Sequence, residues 1–100
     1  MIHGMYVIIW RYRVKPEQAD AFERHYGAAG SWVELFRRGT GYVGTDLLRD
    51  EAGYVTIDRW TSKTDYERFR SAREEEYAAL DEKLAELTEA EEKLGEYESV

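Results

Sequence analysis

The stretch from Gly41 to Arg70 constrains the fold most tightly. Tyr42 to Arg49 and Tyr54 to Trp60 are rich in β-branched and aromatic residues, and Asp50-Glu51-Ala52-Gly53 is the only turn signal between them, so the two segments predict a hairpin. With Arg49 opposite Tyr54, one face carries Val43, Thr45, Leu47, Tyr54, Thr56, Asp58 and Trp60. The other carries Tyr42, Asp46, Leu48, Val55, Ile57 and Arg59. Side chains alternate with period two along a strand, so a slip of one residue would reverse both sets. After Trp60, Thr61 or Ser62 can cap a helix, with Thr64 and Glu67 as an alternative capping box.

The flanking segments extend this unit in both directions. Met5 to Val14 is dense in β-branched and aromatic residues on both parities, which predicts a strand covered on both faces. Pro16 suits the first turn of a helix, where its missing N–H costs nothing, and Ala19, Phe22 and Tyr26 form one stripe behind it. Gly27 and Gly30 interrupt that helix. Ser31 with Glu34 reads as a capping box that restarts it through Trp32, Leu35 and Phe36, until Gly39 and Gly41 end it. Tyr66, Phe69, Arg73, Tyr77, Leu80, Leu84 and Leu87 recur at steps of three and four, which predicts one continuous helix whose stripe is interrupted only by Arg73. Thr88 with Glu91 predicts a last short helix closed by Gly95, leaving Glu96 to Val100 as an edge strand.

Strand, helix, strand, strand, helix, strand is the α+β, ferredoxin-like βαββαβ order, with a four-stranded antiparallel sheet and helices on one face. No linker, repeat or low-complexity segment divides the chain, so residues 1–100 are expected to form a single domain. A net charge of -7 argues against nucleic acid as a partner, because no basic run outweighs its acidic neighbours to neutralise phosphates. Cysteine is absent, which removes disulfides and thiolate metal sites. The longest apolar stretch, Met5 to Trp10, is far short of the ~20 residues a membrane helix needs, so no membrane partner is expected and the cytoplasm is the default location.

Trp10 and Val14 followed by Pro16, then Phe22, the pair Gly41-Tyr42, and Trp60 followed by Ser62, Tyr66 and Phe69 stand in an order that resembles the antibiotic biosynthesis monooxygenase family of dimeric α/β barrels. The resemblance covers about Met5 to Phe69. It implies a homodimer whose two sheets pack face to face, with a ligand cleft between sheet and helices in each subunit. It also implies a cofactor-independent monooxygenase acting on a small aromatic or quinol-like molecule, as in relatives that oxidise anthrones without metal or flavin. The alternative is a non-catalytic dimeric domain that binds a small molecule or serves a structural role. Composition agrees with a dimer, since a sheet covered by helices on one side leaves a second apolar face.

Such chemistry needs an apolar pocket, donors for an enolate oxygen, and a base. The candidate catalytic residues are His25, Asp58 and Trp60, and the candidate substrate-binding residues are Tyr26, Trp32, Arg37, Tyr66 and Phe69. The resemblance implies no cofactor, and no metal is expected, because two histidines without a nearby carboxylate motif make a poor ligand set. Each candidate also has a structural alternative. Trp60, Trp10 and Trp32 fit packing roles, His25 fits a helix surface, and His3 lies near the terminus. Asp58, Asp46, Arg11 and Arg59 fit an ion-pair network, since charges in the middle of covered strands must be paired. Arg37 and Arg38 suit a helix C-terminus without any ligand. The chain contains no asparagine, a recurrent active-site group in the anthrone oxygenases. Relative to the haem-degrading branch it keeps Trp60 but has Trp10 in place of an asparagine and Arg70 near the place of the haem-ligating histidine, which argues against haem degradation.

Overall fold

The computed structural model describes residues 4–100, so His3 lies outside the described residues. Four strands, β1 (Tyr6–Val14), β2 (Tyr42–Asp50), β3 (Gly53–Trp60) and β4 (Thr88–Glu98), form one antiparallel sheet in the order β2-β3-β1-β4. A 3-10 turn at Pro16–Gln18 leads into α1 (Ala19–Tyr26), and α2 (Ser31–Phe36) follows before β2. After β3 come α3 (Lys63–Ala72) and α4 (Glu74–Leu84). This is the expected ferredoxin-like arrangement. Among the described residues no helix is long and apolar enough to cross a membrane.

The hairpin register places Arg49 opposite Tyr54 as read from the turn, and Thr45, Leu47, Thr56 and Asp58 share a face. The assignment of Tyr42 and Val43 is corrected. A bulge between Tyr42 and Gly44 puts Tyr42 opposite Trp60 on the helix-covered face and leaves Val43 exposed. An extra residue shifts the period-two alternation by one, which a uniform register cannot anticipate. Gly53 closes the hairpin with φ +143°, where a Cβ would fall 2.2 Å from the Tyr12 carbonyl oxygen.

Two helix boundaries also differ from expectation. The long stripe is two helices, broken at Arg73 with φ −118° and ψ 26°, the one position where the apolar stripe itself is interrupted. Tyr66, Phe69 and Leu84 are buried from both segments, while Tyr77 and Leu80 pack against the core partly buried. Ser62 caps α3 by accepting from the Asp65 backbone N–H at 3.1 Å. Gly30, not Ser31, occupies the cap position of α2, and the Ser31 hydroxyl instead pairs with His25 Nδ1 at 2.7 Å.

The expected last helix does not form. Thr88 to Glu98 is an edge strand that pairs with β1 from Val14↔Thr88 to Tyr6↔Glu98. Its side chains are mostly exposed and five of its eleven residues are glutamate, so no apolar alternation announces it, and its ladder with β1 supplies the backbone partners. A charged edge of this kind resists further strand addition.

The core lies between the inner face of the sheet and the helices, with Trp60, Phe22 and Ile8 fully enclosed. The outer face carries Val7 and Ile9 from β1, Val55 and Ile57 from β3, and Leu48 and Tyr97 from the two edge strands. Two ion pairs cross it, Arg11–Asp50 at 2.9 Å and Arg59–Asp46 at 2.8 Å. Both are partly exposed. Of Asp58, Asp46, Arg11 and Arg59 only Asp58 points inward, and its partner there is a hydroxyl.

Candidate functional site

A cavity of about 30 Å³ lies between the inner face of the sheet and helices α2 and α4. That is room for about two water molecules. Its walls are aromatic, with Trp10 and Tyr12 from β1, Tyr26 from α1, Trp32 and Phe36 from α2, and Tyr77 from α4. Trp32 and Tyr77 stack obliquely with ring centroids 4.9 Å apart. The polar groups are Thr45 of β2, Thr56 and Asp58 of β3, and the exposed pair Asp81 of α4 and Glu91 of β4.

Asp58 is the one carboxylate enclosed in this space, 7% exposed. Thr45 Oγ1 donates to Asp58 Oδ1 at 2.7 Å, and Tyr42 OH lies 2.7 Å from the same Thr45 oxygen. Because the Thr45 proton is committed to the carboxylate, the phenol is the donor in the second bond. The chain Tyr42 to Thr45 to Asp58 is therefore polarised towards the carboxylate. Burial nevertheless pushes Asp58 up to about 6, against the opposing pull of the Thr45 hydrogen bond and the Arg59 charge. A carboxyl titrating there is ionised at neutral pH and basic enough to accept a proton.

The donors around it stay protonated. Burial raises the phenols of Tyr12 and Tyr77 well above the ordinary tyrosine range and raises Tyr26 to about 12. The Trp32 indole Nε1 is buried with no hydrogen-bond partner among the described residues. A buried unpaired N–H costs roughly 1–3 kcal/mol, and here it belongs to a wall of the cavity. The arrangement offers one base, several weak-acid donors and flat apolar walls. Together these groups can accept a proton and hydrogen-bond an oxygen on which negative charge develops. Among the described residues no group of three His, Cys, Asp or Glu could hold a metal ion.

A model of the antibiotic biosynthesis monooxygenase family matches residues 5–80 of the chain. The chain belongs to that family. Solved structures extend the likeness of fold through the family's whole domain. A point variant of SnoaB, a cofactor-independent oxygenase from Streptomyces nogalater, is 22% identical with a TM-score of 0.68, covering 94% of this chain and 91% of that one. A conserved protein from Methanosarcina mazei is 16% identical with a TM-score of 0.71, covering 99% and 95%. A protein of unknown function from Nitrosomonas europaea is 16% identical with a TM-score of 0.71, covering 100% and 93%. No curated protein matches the sequence.

Within this family fold, the structure brings Tyr26, Trp32 and Asp58 together at the cavity. It places the other sequence candidates elsewhere. Trp60 is wholly enclosed among Phe36, Tyr42, Tyr66 and Phe69, with ring centroids 5.0–6.0 Å away. Tyr66 and Phe69 belong to that same packed cluster, and Tyr66 OH accepts from Arg70 at 3.0 Å. Arg37 is exposed at the end of α2, beside a separate depression of about 210 Å³ that also touches Tyr42 and Thr45. His25 is half-buried at the end of α1 and holds the first residue of α2, one position before Trp32.

Tyr12, Phe36, Thr45, Thr56, Tyr77, Asp81 and Glu91 line the cavity without having been singled out as candidates. The hairpin alternation already puts Thr45 and Thr56 on the face of Asp58, and the helical stripe already includes Tyr77. Glu91 had no such signal, because it sits on the strand that reads as a helix.

Proposed function

We propose that this chain is a cofactor-independent oxygenase for a small aromatic or quinol-like carbon acid, with Asp58 as the base. The observation that carries this reading is a nearly neutral-range carboxyl enclosed by aromatic rings and tied to Thr45 at 2.7 Å. Asp58 takes a proton from an activated CH₂ of the substrate, and the resulting carbanion is delocalised onto a ring oxygen. Trp32 Nε1 and the tyrosine hydroxyls hydrogen-bond that oxygen. The electron-rich anion reduces O₂ and forms a C–O bond, giving a peroxide. Return of the proton, cleavage of the O–O bond and loss of the second hydrogen yield a carbonyl and water. All four electrons that reduce O₂, two in forming the peroxide and two in cleaving it, come from the CH₂ carbon as it becomes the carbonyl, so the reaction balances without an added reductant.

His25 and Trp60 enter this proposal as positioning residues. His25 secures the turn that presents Trp32, and Trp60 backs the Phe36 wall. Tyr66 and Phe69 support Trp60, while Arg37 stands outside the cavity. A fused-ring substrate is far larger than about 30 Å³, so its entry requires α4 and the Trp32–Tyr77 pair to move outward, a lid motion of a common kind.

The chain is further proposed to work as a homodimer. The apolar outer face of Val7, Ile9, Val55, Ile57 and the 52% exposed Leu48 supports a second copy as its cover.

The small cavity favours one competing reading, a dimeric domain that has lost the chemistry. Oxygen uptake separates the two. Wild-type protein is screened against anthrones and hydroquinones in an oxygen electrode, with Asp58→Asn as control. The proposal expects uptake stoichiometric with carbonyl product and a drop of about a hundredfold or more in the variant. Ligand binding without uptake for any member of the panel would support the non-catalytic domain.

A further inference from the structure

The charge of the cavity carries more information than its shape. Six aromatic rings line it, together with three carboxylates, Asp58, Asp81 and Glu91, and no Lys, Arg or His is among the lining residues. Asp81 and Glu91 are exposed and come from α4 and β4, so they form the rim, whereas Asp58 is at the base. Burial and the neighbouring Asp81 both raise the Glu91 carboxyl, consistent with two acidic groups facing one space. The Trp32 Nε1 within the walls makes no hydrogen bond of normal geometry among the described residues, though its pull on the Tyr26 phenol places it close to that hydroxyl.

Ring faces and carboxylates attract the same kind of ligand. The negative face of an aromatic ring draws cations, most strongly where water is excluded, and an adjacent carboxylate adds a direct ion pair. The molecule already uses two rings of this set in that way. Arg70 Cζ stands 3.8 Å from the Tyr77 ring centroid, and Lys93 Nζ stands 5.6 Å from that of Trp10. Both of these cations have other partners, Arg70 with Tyr66 OH and Lys93 with Glu96. They border the cavity without lining it, and although the Arg70 charge reaches Asp81, Glu91 and Asp58 leave the lining net negative. The overall charge of -7 adds a long-range field of the same direction.

We infer that the cavity selects an aromatic ligand bearing a positive charge, such as a protonated amine, with its ring taken up against these walls as the Trp32–Tyr77 pair parts and the cation at the Asp81–Glu91 rim. This rests on the reading that the cavity is the ligand site. An anionic aromatic acid would meet three carboxylates and no cation among the lining residues, and a neutral ring would gain the walls but not the rim.

Titration calorimetry at low salt tests this with three probes of one size, naphthylmethylammonium, naphthylmethanol and naphthoate. The cation is expected to bind about tenfold more tightly than the alcohol, and naphthoate more weakly than either. The double variant Asp81→Asn/Glu91→Gln, altered only at exposed positions, should bring cation and alcohol within about twofold of each other while leaving alcohol affinity unchanged. Equal binding of cation and alcohol by the wild type would overturn the charge selectivity and leave the cavity standing as a site. A cation preference that survives undiminished in the double variant would also overturn it, because the rim would then contribute nothing to the selection. Failure of all three probes to bind would overturn the cavity as an aromatic site, and this inference with it.

Discussion

Thr45 Oγ1 meets Asp58 Oδ1 at 2.7 Å from the directly opposite position of the neighbouring strand, on the face that the helices cover. The bond favours the charged carboxylate, while burial favours the neutral acid, and burial prevails. The consequences of that balance can be measured at both residues.

Replacing Thr45 by valine keeps the shape and removes the donor. Asp58 should then titrate above about 6, because the one hydrogen bond lowering it is gone. Carboxyl carbon NMR across the pH range reads this directly, and Thr45→Ser should return the midpoint towards the wild-type position.

Asp58 also gives stability a pH dependence of defined sign. Its pKa is raised from 3.8 to about 6 on folding, so the folded chain holds the proton more tightly than the unfolded chain. The contribution is complete below the unfolded value and is lost as pH rises through about 6. Asp58→Asn has no such loss. Between about pH 4 and pH 8 it should gain on wild type by up to about 3 kcal/mol, measured by urea unfolding at each pH. An unchanged difference would mean that the carboxyl is not desolvated.

Trp60 separates packing from chemistry. It is fully enclosed, and its Nε1 has no partner among the described residues. Trp60→Ala should cost about 3–5 kcal/mol through the cavity it leaves. Trp60→Phe should cost much less, since it removes the unpaired N–H along with part of the ring. Thermal unfolding of the two variants checks the order.

Gly53→Ala should open the hairpin end. The positive φ of 143° and the 2.2 Å approach to the Tyr12 carbonyl both oppose a side chain, and a loss of about 2 kcal/mol or more in urea unfolding is expected.

The outer face gives a test of assembly. Leu48 is half exposed in the single chain, so Leu48→Lys should barely change a monomer's stability. In a face-to-face dimer it buries two charges and should shift sedimentation towards monomer. An unaltered sedimentation profile would argue that this face is not the interface.

Much of this arrangement was legible in the sequence because it rests on short-range rules. The turn at residues 50–53 fixed Arg49 against Tyr54, and from that pairing the shared face of Thr45, Thr56 and Asp58 followed. The three-and-four spacing from Tyr66 to Leu84 found the buried side of α3 and α4, although Arg73 breaks the helix there. What stayed hidden depends on long-range pairing. The residues of β4 carry a helix-capping pattern, and only the ladder to β1, about eighty residues away in sequence, makes them a strand and brings Glu91 to the cavity. The bulge at Val43 likewise reverses Tyr42 without any glycine or proline at the bulged residue itself. Trp60 and His25 stood out by residue type, but type does not reveal that one is sealed in the core and the other is engaged with Ser31.

Proton abstraction is the step on which the account depends, and it can be observed without oxygen. Anthrone is incubated with the protein in deuterated buffer under argon, and loss of its CH₂ signal is followed by proton NMR. The account predicts that wild-type protein accelerates exchange, that the rate rises with pH through about 6, and that Asp58→Asn loses about a hundredfold or more. Exchange by Asp58→Asn at the wild-type rate would contradict the assignment of Asp58 as the base.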